Sequence, residues 1–113
     1  MDSGTHERRH HFRSKARPGR VLSVKFRPQD HAGWVTALTK DIGCGGAFIH
    51  SPLAQPIGSA LTVELTLPTT DQTFALPAVV RWIAPGVDGG MGVQFMGVDV
   101  DVLLELNDYF SSL

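Results

Sequence analysis

The sequence predicts an all-β domain: a six-stranded antiparallel β-barrel with a C-terminal α-helix and a flexible basic N-terminal arm. Three observations carry this expectation. Apolar and polar residues alternate over several short stretches. Turns rich in glycine and proline separate those stretches. Near the C-terminus the apolar spacing changes from two to that of a helix. At 113 residues and 12.2 kDa the chain fits one domain. Short strands separated by tight turns favour a small closed antiparallel sheet.

The first strand is read over Arg20–Arg27, where Leu22, Val24 and Phe26 share one face. Gly33–Lys40 is aromatic and β-branched enough for a second, and Ala47–His50 makes a short third. Ser59–Leu67 alternates most clearly, with Leu61, Val63, Leu65 and Leu67 on one side and Thr62, Glu64 and Thr66 on the other. A turn at Pro68–Asp71 leads to a fifth strand, Thr73–Ile83. Pro77 lies inside it, and a missing N–H predicts an edge or a bulge there. After Pro85–Gly90, the sixth strand is Met91–Met96, with Val93 and Phe95 inward. Leu103, Leu106, Phe110 and Leu113 then fall on one helical face, and Asp99 and Asp101 stand where a helix start favours a carboxylate. The expected division is an arm over residues 1–19 and a barrel over 20–113, with its helix at about 98–112.

Net charge is -1, but it is unevenly spread. Residues 1–20 carry Arg8, Arg9, Arg13, Lys15, Arg17 and Arg20 against Asp2 and Glu7. Residues 88–113 carry five carboxylates and no base. A basic arm on a neutral body seeks anions, and it is equally what a solvated tail looks like. The overall balance and the acidic C-terminal region argue against DNA or RNA as partner. No apolar run approaches the length of a membrane span, and no secretion signal opens the chain, so a cytoplasmic protein without membrane insertion is expected. The single cysteine, Cys44, allows no internal disulfide and fits a small filler in a glycine turn.

Two motifs stand out. Arg9-His-His-Phe-Arg13, preceded by Arg8, lies in the arm; Asp41-Ile-Gly-Cys-Gly-Gly46 lies between the second and third strands. Twenty-eight positions separate Arg13 from Asp41, room for a strand and a hairpin. In this order the motifs resemble the PilZ family, the bacterial receptor domain for cyclic di-GMP, whose members carry an R-x-x-x-R segment in the arm and a [D/N]-x-S-x-x-G segment on the barrel. Gly90-Met-Gly-Val-Gln-Phe95 resembles that family's closing strand, and the likeness extends from Glu7 to the end. It implies a PilZ-type barrel with cyclic di-GMP as ligand. It assigns phosphate and base contact to Arg9 and Arg13, with Arg8 as an auxiliary, and the base-facing surface to Asp41, Gly43 and Gly46.

The chemistry suits those residue types. An arginine fork donates two parallel hydrogen bonds to a phosphate or to guanine O6 and N7. A carboxylate accepts from the guanine N1–H and N2–H edge, and glycines let the backbone come close and take positive φ. Asp41 also fits a turn residue bonding its own backbone. The departure is Gly43, where the family has serine: one hydroxyl is absent, about 0.5–1.5 kcal/mol or up to roughly tenfold in affinity.

His6 and His10 are spaced i, i+4 beside His11, but no carboxylate or thiol group completes a metal set. Trp34 and Trp82 read as barrel aromatics; stacking on a base is the other use, which their spacing does not indicate. No nucleophile–base pair is visible, so no catalytic residue and no cofactor are expected. Two functions remain: a cyclic di-GMP-binding adaptor whose protein contacts change as the arm closes on ligand, and a PilZ-like adaptor that has lost the ligand and regulates its partner, for example in motility, by protein contact alone. Both require an unidentified protein partner, and either a monomer or a homodimer fits.

Overall fold

The computed structural model describes residues 21–112. Arg8, Arg9 and Arg13, with the expected arm boundary, lie outside the described residues. The order of elements is β1 (Ser23–Pro28), β2 (Val35–Ile42), β3 (Gly46–His50), β4 (Ala60–Thr66), β5 (Thr73–Ala84), β6 (Gly90–Phe95) and α1 (Val100–Ser111). The strands form a closed barrel in the order β1-β2-β3-β6-β5-β4, antiparallel throughout. Closure gives every strand a neighbour on both sides.

The alternation read from the sequence faces as expected. Leu22, Val24 and Phe26 from β1 and its approach, Leu61, Val63, Leu65 and Leu67 from β4 and its end, and Val93 and Phe95 from β6 are all buried in one core. Helix α1 covers that core with Leu106, Tyr109 and Phe110, while Leu103 is half-buried. Asp99 occupies the N-cap position, yet its side chain makes no capping bond; its carbonyl accepts from Leu103 N–H at 2.9 Å instead. Asp101 lies in the first turn, where it complements the helix dipole.

One expectation is borne out and one corrected. Pro77 lies at a local edge, as its missing N–H predicts: it pairs in register with Thr62 of β4, whereas the β5–β6 ladder begins only at Ala78. Its carbonyl accepts from Met96 N–H at 2.8 Å, one residue beyond the end of β6, and the reciprocal bond of that pair cannot form. The bulge of β5 falls between Val80 and Trp82. The correction is β2, which runs to Ile42 rather than ending at Lys40. A register shift between Thr39 and Asp41 makes Lys40 an extra residue, and pairing resumes at Asp41 and Ile42.

Thr39 shows how polar groups are accommodated inside. Leu22 N–H donates to its Oγ1 at 2.8 Å, and Thr39 N–H donates to the Leu22 carbonyl at 2.9 Å. Thr39→Val keeps the shape but leaves the Leu22 N–H without this acceptor. Urea unfolding is expected to show a loss of about 1–3 kcal/mol, against a near-zero change for Thr36→Val on the exposed side of the same strand.

Candidate functional site

Each bulge turns two consecutive side chains outward. On β2, Thr39 and Ile42 pair with Ile49 and Ala47 of the interior, so Lys40 and Asp41 both face out. On β5, Val80 points into the core, and the extra residue Arg81 shares the outer face with Trp82. Between the bulges lies the β3–β6 pair. Asp41, Phe48, Gly92 and Trp82 therefore form one cross-strand row over β2, β3, β6 and β5.

That row is packed by aromatic contact. The Phe48 and Trp82 rings are stacked, with centroids 5.1 Å apart and planes at 21°. Trp82 lies directly over Gly92, where a Cβ would overlap its indole ring. Phe48 is thus buried outside the barrel, on its surface. The Lys40 ammonium stands 5.9 Å from the Phe48 ring centroid and donates to the Asp88 carbonyl at 2.6 Å, tying the β5–β6 turn to β2.

The motif segment borders a cleft of about 350 Å³. Asp41, Gly43 and Gly46 line it, so the structure brings together the three barrel residues singled out from the sequence. Across from them stand Arg81, Trp82 and Gln94. Asp41 is 4% exposed, and its Oδ1 accepts from the Ile42 N–H at 2.9 Å. The local, backbone-bonding use of this carboxylate is therefore real, and it coexists with a place in the cleft wall. The turn is closed by Gly43 N–H donating to the Gly46 carbonyl at 2.9 Å, and held to β6 by Phe95 N–H donating to Gly45 at 2.9 Å.

The reason for glycine at 46 differs from the expected one. Neither Gly45 nor Gly46 has positive φ; a Cβ at Gly46 would overlap the Val93 carbonyl oxygen of β6. Close approach of two strands, rather than backbone handedness, requires it. Arg81 adds a charge that the sequence did not single out. Its Nε donates to Gln94 Oε1 at 2.7 Å, which fixes the guanidinium beside the cleft. Reading the sequence missed Lys40, Phe48, Arg81 and Gln94, and left Trp82 undecided. Their signal is a break of alternation within a strand, which is visible only once the partner strand is known. Among the described residues no group of three or more His, Cys, Asp or Glu could hold a metal ion; His6, His10 and His11 lie outside them. No helix of the described residues is long and apolar enough to cross a membrane.

Gly46→Ala is expected to destabilise the barrel by about 1–3 kcal/mol through overpacking against backbone that cannot swing aside. Chemical denaturation monitored by circular dichroism measures this. Gly45→Ala, which meets open space, is the matched control.

Comparison with known proteins agrees with this geometry. The PilZ domain profile matches residues 7–112. No curated protein matches the chain. Among solved structures, it is similar to the Bacillus subtilis inhibitor of motility MotI/DgrA, with a TM-score of 0.71 and 22% identity over 88% of this chain and 49% of that one. The chain thus spans about half the length of that neighbour. It is also similar to the PilZ domain of CeSA from a cellulose-synthesizing bacterium, with a TM-score of 0.61 and 16% identity over 83% of this chain and 94% of that one. At these identities both show the fold. With the barrel, the motif turn and the matched span together, this chain belongs to the PilZ domain family, a family of regulatory modules linked to cyclic di-GMP.

Proposed function

We propose that the protein is a cyclic di-GMP-binding signalling adaptor that acts through protein contacts and catalyses no reaction. The observation that carries this is the cleft in which Asp41 and the Gly43–Gly46 turn face Arg81 and Trp82. Arg9 and Arg13 of the arm, with Arg8 beside them, supply the phosphate and guanine contacts that their forks suit. Asp41 offers a carboxylate to a guanine edge. Trp82, already backed by Phe48, presents a ring for base stacking, a contact of about 1–3 kcal/mol per base. Arg81 gives a cationic group on the barrel itself. Its Nη2 also lies 3.9 Å from Met96 Sδ, so a phosphate that draws Arg81 inward releases Met96 on the neighbouring face. Ligand occupancy is thereby passed to a surface a partner can touch. The likeness to an inhibitor of motility makes motility the first process in which to seek that partner.

Gly43 favours a second reading, a PilZ adaptor that no longer binds the nucleotide. It lacks the family's hydroxyl, and its N–H is used within the turn by Gly46.

Isothermal titration with cyclic di-GMP, with GTP as control, separates the two. The receptor reading expects saturable binding in the micromolar range or tighter. Arg9→Ala or Arg13→Ala should remove most of it with the fold intact. Trp82→Ala should weaken it by roughly 5- to 150-fold. Gly43→Ser should tighten it by up to about tenfold by restoring the hydroxyl. Absence of heat at high ligand concentration establishes the second reading; unchanged binding in both arginine variants overturns the assignment of the arm.

A further inference from the structure

A second depression lies on the outer wall made by β1, β4 and β5. Arg27, Thr62 and Pro77 are in register across these strands, and Ala60 and Val79 form part of the next row. The short side chains at Ala60 and Pro77 leave a groove of about 440 Å³. Its two sides are apolar and cationic together. On one, the Arg27 guanidinium sits 5.2 Å from the centroid of the exposed Trp34 ring. On the other, exposed Met96 is met by Arg81. An apolar floor between two arginines fits a segment that is apolar and acidic.

The chain carries such a segment in its own helix. Leu106, Tyr109 and Phe110 anchor one face of α1 in the core. The opposite face presents Val100 and Leu104, one turn apart and 69% and 62% exposed, with Asp108 next along the same line. Asp101 and Glu105 flank them, and the last turn has no basic residue. Val100 and Leu104 thus form an exposed apolar pair bordered by carboxylates. The anchored inner face prevents α1 from turning back into its own groove, while the groove ends at Met96, four residues before the helix begins. Groove and helix thus neighbour each other along the chain.

We infer that the groove between Arg27 and Met96 receives the acidic outer face of α1 from a second copy of this chain, forming a two-fold dimer in which each groove holds the other copy's helix. Reciprocity closes the assembly at two, whereas a one-way contact would grow into open chains. The occupant is chosen by charge: carboxylates at 101, 105 and 108 meet Arg27 and Arg81, and Val100 and Leu104 cover the floor.

Sedimentation velocity on the full chain tests this between about 1 µM and 1 mM, the range of a moderate self-association. Mass should rise from 12.2 kDa toward twice that value and stop there. Arg27→Glu disables the groove and Leu104→Ser the helix; both positions are on the surface, and circular dichroism checks that the barrel persists. Each variant alone should dimerise at least about tenfold more weakly. A constant monomer mass overturns the inference, as does growth beyond the dimer. So do variants that dimerise like wild type.

Discussion

Closure of the barrel is the constraint on which the rest depends. Each strand has two neighbours, so every register error must be absorbed inside a strand. Two bulges absorb it, at Lys40 in β2 and at Arg81 in β5. Because a bulge places two consecutive side chains on one face, it converts a structural adjustment into a functional one. Lys40 arrives beside Asp41, and Arg81 beside Trp82. The β3–β6 pair runs between them with Phe48 and Gly92 as its outward residues. The cleft is what remains between two such pairs.

The same close packing explains the glycine-rich turn. Gly46 lets β3 lie against the Val93 carbonyl, and Gly92 lets the indole of Trp82 lie flat on β6 beside Phe48. Neither glycine supplies unusual backbone handedness; both supply an absence of side chain where two groups meet. Gly43 is different in kind. Its N–H is held by the Gly46 carbonyl, so the position has a structural use even without the hydroxyl typical of the family. A turn kept in shape without its serine is compatible with either a retained site or a scaffold turned to protein contact.

Charge is distributed by element. The arm is basic, the bulges present Lys40 and Arg81, and the helix is acidic on its outer face. Arg81 is shared between two surfaces, since it lines the cleft and also reaches Met96 at the edge of the neighbouring groove. A nucleotide in the first and a protein in the second would compete for one guanidinium. Such sharing is the simplest physical way for a domain of this size to couple two sites, because it needs no large movement of the barrel.

Much of the fold was legible in the chain. Strand order along the sequence, the inward faces of β1, β4 and β6, and the helix over the core followed from the period of two and its change near Val98. Asp41, Gly43 and Gly46 were legible as a motif, and the structure brings them together at one cleft. What was not legible was the outer row. Lys40 looked like the end of a strand and is a bulge. The sequence by itself determined which side chains point inward, since alternation is a property of one segment. Only the tertiary structure decided which strands are neighbours, where their registers slip, and therefore that Arg81 and Trp82 face Asp41, because a bulge exists only between two strands and no single segment encodes it.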